Sequence, residues 1–195
     1  MSNFFLWLSH FLYYRIGGWT AKPEIPEGVE KAIIIIAPHT ANSDFPIGLG
    51  VDYLMSPRGQ FLAKRELFDG PFGFIFKSLG GLPVDRSKAN NLVDEVTRVF
   101  SEHEQLFLVV APEGTRSITT RWKTGFYHMA KGAGVPIILA YMDYAKKECG
   151  FGGILHPSDN QEKDFVMIED FYRSITARYP ENFNPRLTDG TSGSK

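Results

Sequence analysis

A histidine and an aspartate are separated by four residues in Pro38-His39-Thr40-Ala41-Asn42-Ser43-Asp44. That separation spans one turn of chain and can bring a carboxylate to an imidazole. A carboxylate on Nδ1 fixes the tautomer, leaves Nε2 as a base and stabilises the imidazolium that forms. No protein nucleophile stands beside the pair. The chain has no Gly-x-Ser-x-Gly elbow, and Cys149 sits in a charged stretch with no base nearby. The scheme that fits is a base acting on a hydroxyl of the substrate. Taken alone, the same two residues also describe a loop histidine and a helix-capping aspartate.

A second and a third polar cluster carry anion-binding chemistry. Asp85-Arg86 is one, and Pro112-Glu113-Gly114-Thr115-Arg116 is the other. Arg86 and Arg116 can clamp a phosphate, because a guanidinium gives it two parallel hydrogen bonds. Gly114 allows a tight turn or a close approach to ligand. Thr115 offers a hydroxyl and a backbone N–H, and Glu113 can orient an arginine or accept a substrate hydroxyl. A surface salt-bridge network is the competing reading for either arginine alone. Walker, dinucleotide and His-Glu-x-x-His signatures are missing.

The elements that position these clusters are legible in the hydrophobic pattern. Ala32–Ala37 (AIIIIA), Gln105–Ala111 (QLFLVVA) and Val135–Met142 (VPIILAYM) are apolar runs of the kind buried on both faces of a parallel sheet. Gln60–Ala63 and Leu82–Val84 read as shorter strands, and a further strand or hairpin near Asp143–Cys149 is weakly signalled. A helix is expected from Phe45 or Pro46, capped by Ser43 or Asp44. Others are expected over Pro71–Leu79, Ser87–His103, from Lys123 to the stop at Gly132-Ala133-Gly134, and over Asp159–Arg178. Strands alternating with helices predict a single α/β domain, a largely parallel central sheet flanked by helices. In such a sheet ligands bind beyond the carboxyl ends of the strands. All three clusters follow strands, so all three should meet at one edge.

Composition sets the outer limits. The 195 residues are 43% hydrophobic and 22% charged, ordinary values for a globular chain. Lysine plus arginine is 21 against 22 acids, a formal charge of −1, so nucleic acid is not an expected partner. The cations are unevenly spread: Arg116, Arg121, Lys123 and Lys131 have no acid among them. That suits a small anionic substrate or an anionic membrane surface. One cysteine excludes an internal disulfide and a multi-cysteine zinc site, and no metal is expected.

Residues 1–20 are read separately, as an aromatic amphipathic helix. Phe4, Phe5, Leu8, Phe11, Leu12 and Ile16 fall at helical spacing, with Trp7, Tyr13, Tyr14 and Trp19 around them. The stretch is too short and interrupted to span a bilayer and lacks a signal peptide's flanks. Two readings stand: an in-plane membrane anchor, or a helix packed on the core. Residues 21–183 form the main domain, and 184–195 are expected to be a polar, disordered tail.

The clusters together resemble the glycerolipid acyltransferase family, which includes the bacterial 1-acylglycerol-3-phosphate acyltransferases. His39-x4-Asp44 is similar to its first motif, Gly81-Leu82-Pro83-Val84-Asp85-Arg86 to its second, Pro112–Arg116 to its third and Val135-Pro136-Ile137 to its fourth. The match runs over about residues 30–142. The resemblance implies the glycerol-3-phosphate acyltransferase-like fold and an O-acyltransferase. His39 would deprotonate the acceptor hydroxyl, which attacks the thioester of acyl-CoA or an acyl carrier protein, and Asp44 would orient His39. Arg86, Glu113, Gly114, Thr115 and Arg116 would hold the phosphate and glycerol of the acceptor. The thioester is a co-substrate, and no cofactor is implied. The acceptor implied first is 1-acylglycerol-3-phosphate, giving phosphatidate. Ala41, Ser43 and Leu139 depart from the family pattern, leaving open an amino-acid-linked lysolipid, another lysophospholipid or phospholipid transacylation. The expected location is cytoplasmic and peripheral, at the inner face of the membrane. A reading from another class is a non-catalytic lipid-binding protein on a membrane surface. A thioesterase or lipase, with water as acceptor, is a third.

Overall fold

The computed structural model describes residues 2–55, 59–84 and 89–188. Seven strands form one sheet: β1 (Thr20–Lys22), β2 (Lys31–Ala37), β3 (Gly59–Lys64), β4 (Gly81–Val84), β5 (Leu106–Val110), β6 (Ile137–Asp143) and β7 (Glu148–Leu155). Their order is β1-β7-β6-β2-β5-β3-β4. The five strands from β6 to β4 are mutually parallel. β7 runs antiparallel to β6 and parallel to β1. The predicted α/β class holds, with an antiparallel margin on one side.

The isoleucines of β2 alternate between two cores. Ile33, Ile35 and Ala37 face one side, with Leu106, Leu108, Ile137 and Leu139 of the neighbouring strands. Ala32 and Ile34 face the other, with Phe107 and Ile138. Each buried isoleucine, leucine or phenylalanine among them contributes roughly 1.5–3 kcal/mol. The first face is covered by α5 (Ala89–Glu102), α6 (Gly125–Ala133) and α7 (Gln161–Arg173), through Val96, Phe100, Phe126, Met129, Phe165 and Ile168. A small core around Ile47 and Val51 of α2 (Asp44–Asp52) includes Trp19, Met142 and Cys149. Short helices α3 (Glu66–Asp69) and α4 (Gly73–Ser78) link β3 to β4.

The chain leaves β2 toward β3 on one side and returns from β5, across β2, to β6 on the other. Right-handed crossovers in opposite directions put α2 and α6 on opposite faces, and the two cores agree. The β2–β5 boundary is therefore the point where strand order reverses, where α/β sheets open a binding crevice.

β1 and α3 have no counterpart in the sequence reading, and three further stretches differ from it. β7 is longer than the pattern suggested, because the glycines of Glu148–Leu155 hide it. A Cβ at Gly152 would lie 2.5 Å from the Phe171 ring, so glycine is what lets α7 pack there. The last helix stops at Arg173 rather than Arg178, and Ser174 follows as its cap. The expected tail is packed through Thr188: Leu187 is buried, and the N–H groups of Leu187 and Thr188 both donate to Glu169 Oε1 at 2.6 Å. Residues 189–195 lie outside the described residues.

The N-terminal segment packs on the core along one side. Helix α1 (Ser2–His10) continues as a wider π-type helix over Phe11–Ile16. Leu6 and Ser9 are buried. His10 Nδ1 lies 3.1 Å from the Gly50 carbonyl, and the Tyr14 hydroxyl donates to the Ile47 carbonyl at 2.8 Å. The opposite side leaves Phe4, Phe5, Trp7, Phe11, Leu12 and Ile16 exposed. No helix among the described residues is long and apolar enough to cross a membrane.

Candidate active site

β2 ends at Ala37, and His39 follows at once beyond Pro38. The His39–Asp44 loop closes on the Asp44 carboxylate. Asp44 Oδ2 accepts the N–H groups of Thr40 and Ala41, each at 2.8 Å. His39 Nδ1 lies 3.4 Å from that same oxygen, with the imidazole 27% exposed and the carboxylate 2% exposed. The aspartate thus reaches back into the loop, and neither Ser43 nor Asp44 caps α2 with its side chain. The geometry leaves Nε2 as the outer nitrogen of a half-open ring. Burial pushes the Asp44 carboxyl up, but hydrogen bonds from His39, Tyr144 and Ala41 outweigh it and hold the group below its ordinary range. It is a carboxylate at neutral pH.

β5 ends at Val110, beside β2, and brings the second cluster to the same edge. Gly114 adopts the left-handed φ of 68° that its turn requires, with the Lys123 side chain packed against it. Ser117 N–H donates to Thr115 Oγ1 at 3.2 Å. Arg116 hydrogen-bonds Asn42, tying the β5 loop to the β2 loop. Glu113 behaves differently from the expectation that it holds the acceptor. It is only 5% exposed, and its Oε2 accepts the His39 backbone N–H at 2.9 Å. Its Oε1 is buried with no hydrogen-bond partner among the described residues. Burial, aided by the nearby Asp44 charge and opposed by the His39 N–H, raises its carboxyl to about 8. β4 also points its carboxyl end to this edge, on the far side of β3 and β5. Arg86, expected just beyond it, lies outside the described residues.

Sequence reasoning missed one direct partner of the pair. The Tyr144 hydroxyl donates to Asp44 Oδ1 at 2.6 Å and lies 2.8 Å from Ser43 Oγ. Tyr144 sits a hundred positions away, in the turn after β6, and no local motif marks it. The residues after α7 were also missed. Tyr144 N–H donates to the Thr176 carbonyl at 2.9 Å, and Tyr179 N–H to Thr40 Oγ1 at 3.2 Å. The early end of α7 is what carries Arg178 and Tyr179 to the site. Beside the loop opens a cavity of about 770 Å³, walled by Thr40–Ser43, Tyr144, Arg116 and Arg178 among others. Cys149 is no part of it: the thiol is buried, and burial pushes it up to about 12.

A partly exposed histidine on a buried carboxylate thus stands at the switch point of a parallel α/β sheet, beside a cavity lined by Arg116, Lys147 and Arg178. The chain belongs to the acyltransferase family, whose model matches residues 20–142. It is 31% identical over 134 residues to the 1-acyl-sn-glycerol-3-phosphate acyltransferase of Haemophilus influenzae, covering 64% of this chain and 54% of that one. It is 34% identical over 124 residues to the Escherichia coli protein of the same name, covering 60% and 49%. The chain thus matches about half the length of these curated relatives. The crystal structure of the 1-acyl-sn-glycerophosphate (LPA) acyltransferase PlsC from Thermotoga maritima shares the fold. Its TM-score is 0.58 at 19% identity, with 89% of this chain and 80% of that one covered.

Proposed function

We propose that this protein transfers a fatty acyl group from a thioester, acyl-CoA or acyl carrier protein, to the free hydroxyl of a lysolipid. The acceptor proposed first is 1-acylglycerol-3-phosphate, giving phosphatidate. The observation that carries the reading is the His39–Asp44 pair at 3.4 Å, with the carboxylate buried and the imidazole open. The names of the relatives, and the three cations lining the adjoining cavity, support the choice of a phosphate-bearing acceptor.

In this reading His39 donates its Nδ1–H to Asp44 and takes the acceptor hydroxyl proton on Nε2. The oxygen attacks the thioester carbonyl. The tetrahedral intermediate expels the thiolate, which takes the proton back from Nε2. The products are the new ester and the free thiol, and His39 returns to its starting state. Asp44 orients the ring and stabilises its charged form. Thr115 and Arg116 bind the acceptor, with Arg86 proposed to join them from the end of β4. Glu113 works through the His39 backbone. The exposed aromatic side of residues 4–16 supports placing the protein on a membrane surface, at its inner, cytoplasmic face, where its lipid acceptor lies.

The test is transfer of labelled acyl groups from acyl-CoA and from acyl carrier protein to a panel of lysolipids, wild type beside His39→Ala. Transfer to lysophosphatidate that is lost in a folded His39→Ala protein supports the whole reading. Transfer only to an amino-acid-linked or other lysolipid, or from one phospholipid to another, keeps the chemistry and replaces the substrate. Fatty acid release with no acceptor dependence would instead make it a thioesterase. Vesicle binding without transfer to any acceptor would make it a lipid-binding protein.

A further inference from the structure

We infer that Lys147 and Arg178, sharing a cavity with Arg116, form an anion site for a phosphate ester on the β6–β7 side of the His39 loop.

Both residues line the cavity beside the His39 loop, with Arg116 as a third cation, and no carboxylate among the described residues lines it. Its aromatic walls include Trp19 and Tyr144, whose rings meet edge to face at 4.9 Å. An acid-free cavity holding three cations carries a concentrated positive potential, which a phosphate dianion satisfies.

Each cation is held by the fold, and its position is set from two sides. Lys147 takes a left-handed φ of 50° in the turn after β6. Its carbonyl accepts the Thr20 N–H at 2.8 Å, and its ammonium donates to the Gly17 carbonyl at 3.1 Å. A neutral carbonyl leaves the other two ammonium N–H groups free for an anion. Arg178 has no carboxylate partner among the described residues. Its guanidinium lies over the Tyr144 ring at 5.7 Å and near the Tyr179 ring at 6.0 Å. Ring faces hold the cation without using up its N–H donors, which stay available to a ligand.

The position of this site gives it a use. Tyr144 carries Arg178 on its ring and Asp44 on its hydroxyl. A phosphate on Arg178 is therefore registered against the carboxylate that orients His39. β4 lies three strands from β2 in one direction, while the β6–β7 turn lies in the other. A base serving two substrates needs both delivered to it, and an anion site on this side of the His39 loop serves one of the two. The phosphate comes either from the lysolipid head group or from the pantetheine or nucleotide end of the thioester donor. The choice between those sources rests on the proposed acyl transfer; the anion site itself does not.

The test uses the full chain and two water-soluble probes, glycerol 3-phosphate and coenzyme A, titrated calorimetrically at low salt. Lys147→Gln/Arg178→Gln is compared with wild type, and thermal melting confirms that the variant is folded. Loss of two charge-assisted contacts should weaken binding by tenfold or more, about the value of a single such bond. Weakened glycerol 3-phosphate binding, with a raised KM for the acceptor, assigns the site to the lysolipid. Weakened coenzyme A binding, with a raised donor KM, assigns it to the donor. Unchanged affinity for both probes, or no binding of either by wild type, overturns the proposal. The binding readout stands even where no acyl transfer is found, so failure of the enzyme reading and failure of the site remain distinct.

Discussion

Glu113 Oε2 accepts the backbone N–H of His39 at 2.9 Å, so the loop after β5 holds the loop after β2 from below. The carboxyl is buried, and its remaining oxygen faces no partner among the described residues. Such a group is placed to position its neighbour. Glu113→Gln keeps a carbonyl oxygen for the His39 N–H and should retain most activity. Glu113→Ala leaves that N–H unpaired, at roughly 1–3 kcal/mol. It should lower kcat about tenfold or more with little change in acceptor KM. Steady-state kinetics on both variants decide the matter: a raised acceptor KM in Glu113→Gln would return Glu113 to the binding set.

The same carboxyl makes stability depend on pH. Its folded value of about 8 lies above the ordinary 4.5. Between those values the folded protein keeps a proton that the unfolded chain has lost, so stability falls as pH rises through that window. The slope from this one group is at most about 1.4 kcal/mol per pH unit, and it levels off above the folded value. Denaturant midpoints of wild type against Glu113→Gln, taken from pH 5 to 9, should show the slope reduced in the variant. Parallel curves would mean that Glu113 titrates normally.

Much of this was legible in the sequence, for a physical reason. Buried parallel strands need continuous apolar runs, so β2, β5 and β6 stand out, and the polar clusters after β2 and β5 follow from topology. What escaped was encoded at long range. Tyr144 meets Asp44 across a hundred residues, and no spacing rule connects them. β7 was obscured by its glycines, of which Gly152 admits the Phe171 ring and Gly150 the close approach of Lys22 in β1. Leu187 is a lone apolar residue in a polar run, yet it closes the core beside Glu169. The His39 backbone as a partner of Glu113 was equally hidden, because residue type and motif suggest a ligand contact and only burial reveals the other bond.

Asp44 should be the most sensitive position in the site. Asp44→Asn removes the negative charge that stabilises an imidazolium and turns an N–H donor toward groups that are themselves donors. kcat should fall about 10²–10⁴-fold, the span of general-base effects. The wild-type carboxyl sits below its ordinary range. Its stabilising contribution is therefore full above the unfolded value and is lost as pH falls through the folded one. Acid unfolding followed by circular dichroism should lose part of its steepness below about pH 4 in the variant. Near-wild-type kcat in Asp44→Asn would remove the carboxylate from the mechanism.

Tyr144→Phe tests the other end of that carboxylate. Asp44 loses its shortest hydrogen bond, at 2.6 Å, while the Trp19 ring contact survives. The carboxylate then holds the His39 ring less firmly in place. kcat at neutral pH should fall about tenfold with little change in acceptor KM, near the value of one charge-assisted bond. An unchanged kcat would show that Tyr144 only packs.

The two sides of the N-terminal helix should separate by mutation. Leu6 is buried, whereas Trp7 and Phe11 stack face to face at 5.6 Å on the exposed side. Leu6→Ala should destabilise the fold by about 2–5 kcal/mol, the range for emptying a buried leucine site. Trp7→Ser/Phe11→Ser should leave the melting temperature nearly unchanged and weaken partition onto anionic vesicles at least tenfold, because two aromatic anchors are lost from the interface. Removing residues 1–19 outright would confuse these effects, since it also deletes the Tyr14 bond to α2 and the Trp19 ring against Tyr144. Vesicle sedimentation and thermal melting of the two point variants are therefore read together. Equal vesicle binding by wild type and the double variant would show that the exposed aromatics face something other than lipid.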